Sequence, residues 1–436
     1  MISQWRAIAV VAQTLLLWGA SATAQVPAGD CRDPARFAAA AAQHKQELSD
    51  LLRARGISLL PPAESMSVAR VAALLRERYD TDSLGVLFYS HDGGRLGVWL
   101  LTQRGLAACA DSALSRADLA AVTDQLRAAL RVGALQATRA PHLRGVELAD
   151  DSGRAPVPLD SAVRRVSDLL LPPPLRPALS RLPALIVVPA LGIGTVPFAM
   201  LRPFGDSTLL IERSSIAVAA SLYDPFQKVP AWRAPANAIV VGNPAYATHS
   251  RYVLPPLPGA QAEATRVAAL FGTTPLTGRA ATRDSVLSLL ARQHAGVLYL
   301  ATHGVADSDD PLDASFIALA AHGDDDGWWT AREIQRSGLS GIDLAVLSAC
   351  QTGLGKVHDA GIIGLARAVQ LAGVPRVVMS LWSVDDAATA DFMEEFMRLA
   401  QHDSPNNALQ ETILRVRRRR PDPRVWAAFV LFGAVE

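Results

Sequence analysis

The chain has 436 residues, half of them hydrophobic and only 19% charged, which excludes an intrinsically disordered protein and leaves room for one large α/β domain with an appended region, or for about two or three ordinary domains. A formal net charge of +1 excludes a general affinity for nucleic acid or anionic membrane, because such binding depends on neutralising many phosphates. Any partner has to be recognised locally.

The first residues, MISQWRAIAVVAQTLLLWGASATAQ, set Arg6 before an apolar stretch and end in small residues at Ala22 and Ala24. This pattern predicts a signal peptide over 1–24, cleaved to leave Gln25 first, and so an exported protein, periplasmic or extracellular. The alternative is an uncleaved anchor, although the apolar stretch falls short of the ~20 residues a spanning helix needs. Cys31 follows Asp30, which is not a lipid-attachment context, and no later run is long enough to cross a bilayer. Export changes the reading of Cys31, Cys109 and Cys350, because an odd number of thiols in an oxidising compartment leaves one over. A bridge between Cys31 and Cys109 would leave Cys350 free and would stabilise the fold by roughly 4 kcal/mol. Burial of all three as small hydrophobes is the other possibility.

Residues 25–82 hold two helical patterns, RFAAAAAQHKQELSDLLRARG and SVARVAALLRERY, and read as an N-terminal helical region. From 83 the remainder reads as one unit, 83–436. Its first part, 83–180, opens on a hairpin, LGVLFYSHDGGRLGVWLLTQRG, and continues with a helix after Ser115. From 181 the pattern becomes short β-rich runs (ALIVVP, NAIVVG, GVLYLATHG, DLAVLSAC, RVVMSLW) alternating with helices at 260–271, 282–293, 361–372 and 386–400. Alternation of this kind predicts an α/β fold with a mainly parallel sheet covered on both faces. TLLIERSSIAVAA and SFIALAAHGDDDGWW read as hairpin additions.

His303 and Cys350 each close a buried-looking strand and are soon followed by glycine, Gly304 and Gly353. Ligands of open α/β sheets bind outside the carboxyl ends of the strands. If the two strands are neighbours, imidazole and thiol share a cleft: the imidazolium favours the thiolate and supplies a proton to a departing amine. The backbone N–H groups of Gly304 and Cys350 are candidate donors to an oxyanion. No cofactor is called for, and metal binding is disfavoured because neither residue has a second ligand three or four residues away. Asp385 and Asp386 follow another strand at the same edge; they are candidates for binding a basic substrate residue, with Asp386 alternatively capping the next helix. Trp382 and Trp426 read as packing residues. The run from Arg415 to Pro421 reads either as a solvated helix end or as a patch for an anionic partner.

LYLATHGVAD, LAVLSACQTGLG, GIIGLARAVQLAGVPRVVMSLWSVDDAATADFMEEF and VWAAFVLFG, preceded in order by LIVVPALGIGTVPFAMLR, IVVGNPAY and LPGAQAEATRVAALF, resemble a CHAT domain, a relative of the caspase, separase and gingipain cysteine peptidases. The resemblance implies a caspase-like three-layer αβα fold, a His303/Cys350 dyad, and a protein or peptide substrate cut by a cysteine endopeptidase. The separation of about 47 residues between the two is close to the ~50 of caspases. Where the family commonly has glutamate before its glycine, this chain has Ala360, with Asp359 one residue earlier as the candidate acidic group of a substrate pocket. The family often carries tetratricopeptide repeats, which are not read here. A module that keeps the fold but only binds a peptide or protein partner in the same cleft is the alternative function.

Overall fold

The computed structural model describes residues 30–54, 65–79, 82–132, 157–247, 254–293, 295–307, 310–323, 325–349, 357–358, 361–362 and 364–435. The proposed signal peptide, Cys350 and Asp359 lie outside the described residues. Helices α1 (Pro34–Ala54) and α2 (Val68–Arg78) come first, then strands β1 (Leu84–Asp92), β2 (Arg95–Thr102) and β3 (Gly105–Ala113). Helices α3 (Arg116–Leu130), α4 (Leu159–Leu170) and α5 (Arg176–Leu179) lead to β4 (Ala184–Val188), β5 (Ser215–Val218) and β6 (Ala238–Pro244). Next are α6 (Pro258–Leu270), β7 (Leu276–Gly278), α7 (Arg283–Arg292), β8 (Val297–Thr302), β9 (Gly304–Val305), β10 (Phe316–Ala318), β11 (Trp328–Thr330), α8 (Ala331–Arg336) and β12 (Leu344–Ala349). The chain continues through β13 (Val357–His358), β14 (Gly361–Ile362), α9 (Leu365–Leu371), β15 (Arg376–Ser380), α10 (Asp386–Ala400), α11 (Pro405–Arg419), α12 (Pro423–Trp426) and β16 (Phe429–Gly433).

Among the described residues, eleven strands form one sheet in the order β3-β2-β1-β4-β5-β16-β15-β12-β8-β6-β7. Only the β1–β2–β3 meander and the β15–β16 pair are antiparallel. Strands β8 (VLYLAT) and β12 (LAVLSA) are buried at every residue, as expected of parallel strands covered on both faces. Alternation of side chains across the sheet assigns the layers. Phe88 packs edge-on against Phe37 and His44 of α1, while its neighbour Tyr89 donates to Leu170 O at the end of α4, 2.7 Å away. Helices α1 and α4 therefore cover opposite faces. On α1's side, α9 is tied in by Arg367, whose guanidinium lies 3.1 Å from Asp224, and α8 packs on α9. On the other side α10 packs against both α6 and α11, and Phe392 of α10 stacks on Phe429 of β16.

The β1–β2 hairpin turns at Gly93 and Gly94, with φ of 54° and 80°, the double positive φ that a two-residue turn of this kind requires. SFIALAAHGDDDGWW does form an antiparallel pair, β10 with β11. TLLIERSSIAVAA does not form a hairpin. Leu210–Glu212 is a short 3-10 turn, and Ser215–Val218 enters the main sheet as β5, parallel to both β4 and β16. The physical reason is burial: all four β5 residues are buried, which an edge hairpin would not provide. The alanine-rich β3 (GLAACADSA) is a further strand, at the sheet's edge, that composition does not announce.

Candidate functional site

Strands β8 and β12 are parallel neighbours, with Thr302 opposite Ala349. Each is the last residue of its strand. His303 follows the first directly, and the residue after the second is Cys350, which is outside the described residues. Ser380, ending β15 on the other flank of β12, donates its hydroxyl to Ala349 O at 3.0 Å, which fixes the end of β12 from that side as well.

His303 is buried, 7% exposed, and is held through both its ring and its backbone. Its Nε2 lies 2.8 Å from Pro255 O. A carbonyl oxygen can only accept, so Nε2 carries the proton and Nδ1 is the nitrogen of the neutral ring able to take one up. The Tyr246 ring sits against the imidazole with centroids 4.9 Å apart. Tyr246 in turn reaches Thr302 Oγ1 (3.1 Å), and Thr302 donates to Ala318 O (2.6 Å). The His303 carbonyl accepts from Ala318 N. The register of β9 on β10 then makes Gly304 and Ile317 a non-hydrogen-bonded pair, so the N–H of Gly304 points away from β10.

Beneath the strand ends, Tyr299 of β8 donates to Glu263 Oε1 of α6 over 2.6 Å, both side chains being fully buried. Burial pushes the Tyr299 phenol well above its usual range, aided by the Glu263 charge, so it remains a donor. Helix α6 is thereby fastened to the strand that carries His303.

The two aspartates after β15 are engaged within the fold. Asp385, and not Asp386, is the N-cap of α10, its carboxylate accepting from Ala388 N at 3.0 Å. Asp386 Oδ2 accepts instead from Gly259 N in the first turn of α6, at 2.7 Å. Trp382 and Trp426 are buried, with their indole N–H groups on Arg424 O and Pro421 O. Of the arginines in α11, Arg415 is met by Glu395 and Glu411 and Arg417 by Glu212, while Arg420, just past the helix, is met by Asp391. A cavity on the β15 side of this edge is lined by Arg127, Thr195, Pro197 and Trp382 among others, and does not include His303.

Cys31 and Cys109 form a disulfide. Among the described residues, the group of ligand-type side chains close enough for a metal is Asp30 with these two cysteines, and bonded sulfurs are not thiolate ligands. No described helix is long and apolar enough to cross a membrane. Pro255 and Tyr246 were not singled out by sequence reasoning. Pro255 contributes only its backbone, and Tyr246 has no spacing to His303 that marks it.

The sequence model of the CHAT domain family matches residues 160–434. Tetratricopeptide repeat protein 28 of Homo sapiens is 28% identical over 284 residues, 55% of this chain and 11% of that protein, and its Mus musculus counterpart is 27% identical over 285 residues, 55% and 12%. The chain thus spans about a tenth of the length of these curated relatives. Among solved structures, a Saccharomyces cerevisiae separase–securin complex superposes with a TM-score of 0.51 at 11% identity, covering 92% of this chain and 33% of that one. The Arg specific cysteine proteinase gingipain R gives a TM-score of 0.41 at 11% identity, covering 72% and 74%. The separase likeness is one of fold, and the architecture is the caspase-like three-layer α/β arrangement with a mainly parallel sheet.

Proposed function

Since the chain belongs to the CHAT domain family, we propose that it is an exported cysteine endopeptidase, with Cys350 as nucleophile and His303 as general acid and base on a peptide bond of a protein substrate. The observation that carries this reading is the register of β8 and β12. Thr302 and Ala349 are paired, and the residue after each is an imidazole and a thiol. The thiol passes its proton to Nδ1 of His303, while Nε2–H stays on Pro255 O. The thiolate attacks the scissile carbonyl, and the oxyanion accepts from the N–H groups of Gly304 and Cys350. The imidazolium returns its proton to the leaving amine, and water then hydrolyses the thioester. Because Asp385 and Asp386 already hold backbone N–H groups, Asp359 is the acidic residue we assign to a basic substrate side chain.

Export rests on the predicted signal peptide at 1–24 and is supported by the Cys31–Cys109 bridge, since such bonds persist in oxidising compartments. We place the mature protein in a periplasm or outside the cell, without a cofactor. A protein substrate suits the separase likeness, that structure being a complex with securin. A second reading, a non-catalytic module that binds a peptide or protein in the same cleft, is favoured by the curated relatives being named for repeats and not for an activity.

Digestion of a peptide library by the wild type and by Cys350→Ala separates the two. The endopeptidase predicts cleavage that falls by about 10⁴-fold or more in the variant, and likewise in His303→Ala. Equal cleavage by Cys350→Ala would remove the thiol mechanism, and peptide capture without cleavage by either protein would establish the binding module.

A further inference from the structure

We propose that Asp386 and Asn243 are positioning residues for His303, acting through a rigid strut at residues 255–259 whose backbone carbonyl at Pro255 fixes the imidazole. The proposal rests on the reading of His303 as the general base. In this strut, PPLPG, Pro255, Pro256 and Pro258 have no N–H and fixed φ. The two remaining N–H groups are each taken by a side chain from elsewhere in the fold. Leu257 N donates to Asn243 Oδ1 at 2.6 Å, and Gly259 N donates to Asp386 Oδ2 at 2.7 Å.

Both anchors are themselves fixed. Asn243, one residue before the end of β6, has a φ of 46°, a left-handed conformation that asparagine tolerates better than most residues, and its amide also donates to Gln261 Oε1 in α6. Asp386 is the first residue of α10, and its carboxylate lies against the first turn of α6, where two helix N-termini favour a negative charge. The fit is tight on the other side as well. A Cβ added at Gly259 would lie 2.1 Å from Asp386 Cγ, so only glycine lets the carboxylate reach the N–H. At its far end the strut runs into α6, locked to β8 through Glu263 and Tyr299. His303 is thus held by its own strand and by a strut pinned from β6 and α10. Without the pins, Pro255 O is no longer aimed at Nε2, and the ring can choose either tautomer.

The full chain carrying isotope-labelled histidine tests this, with His303 identified by comparison with His303→Gln. Long-range proton–nitrogen spectra should show the neutral His303 of the wild type as a single Nε2–H tautomer. Asp386→Leu and Asn243→Gly, the latter keeping the backbone conformation, should each replace it with interconverting tautomers. Peptide cleavage should fall about 10- to 100-fold, through kcat with KM little changed, with the acidic limb of the pH profile displaced. Asp386→Asn keeps an oxygen acceptor and should restore the single tautomer. Ser115→Ala, which removes the remote cap of α3, should lower stability without moving either readout. A single Nε2–H tautomer in both Asp386→Leu and Asn243→Gly would overturn the proposal. If the wild type cleaves nothing, the spectra still decide the strut, whereas loss of cleavage in Cys350→Ala tests the peptidase reading separately.

Discussion

His44 of α1 sits in the core, 2% exposed, with its ring edge-on to Phe88 at 5.5 Å. Burial lowers its pKa from 6.5 to about 4, against the opposing pull of Asp224. The unfolded chain therefore binds a proton at His44 that the folded chain refuses between those two values, so the fold is weakened as pH falls through this window and not above it. The loss should reach roughly 3 kcal/mol by about pH 4. His44→Leu should lose that much less stability than the wild type between about pH 7 and pH 4, read from urea unfolding at the two pH values. Equal losses in the two proteins would show that other groups dominate the acid response. His303 was legible from sequence for a different reason: it ends an apolar run and precedes a glycine. Its partner Pro255 was not, because a carbonyl 48 residues away carries no side-chain signature, and the strut's pins, Asn243 and Asp386, meet it only once β6 and α10 are folded.

The strands that carry the site were legible as elements because each is a buried apolar run bounded by turns: β8, β12 and β15 fall where their composition sets them. Of the others, β3 was not read as a strand at all, whereas β5 was read as part of a hairpin and so misplaced. Alanine-rich β3 lies at an edge where burial is partial, so neither propensity nor alternation marks it. β5 is short and contains a serine, and its parallel place between β4 and β16 depends on residues far along the chain. Helix α10 shows how far local signals reach. The sequence carries two adjacent aspartates able to cap it, and only geometry distinguishes Asp385, bonded to Ala388 N, from Asp386, bonded to Gly259 N. Asp385→Ala should cost about 1 kcal/mol of stability, the usual value of an N-cap, measured by urea unfolding. No change would mean that packing of Phe392 and Phe396 holds the helix end without the cap.

At the scale of the molecule, the N-terminal meander and the strands of the site share one sheet, because β1 pairs with β4 along five residues from Leu84 to Phe88. The disulfide closes the outermost part of this arrangement. It joins Cys31, just before α1, to Cys109 on the edge strand β3, a separation of 78 residues. Around it, Trp99 Nε1 donates to Cys31 O, and the Arg36 guanidinium meets Asp111 at 2.6 Å with both side chains largely buried. Closing a loop of this length removes enough freedom from the unfolded chain to stabilise the fold by about 4 kcal/mol in the chain-entropy model. The double variant Cys31→Ala, Cys109→Ala should therefore unfold at markedly lower urea concentration than the wild type, and reductant should bring the wild type down to the variant's level while leaving the variant unmoved. Because β1 is buried on both faces and paired on both edges, the weakened protein should still unfold in one transition. A separate early transition of the meander, followed through Trp99 fluorescence against backbone circular dichroism, would show instead that β1–β3 and the site-bearing strands are independent cooperative units despite their common sheet.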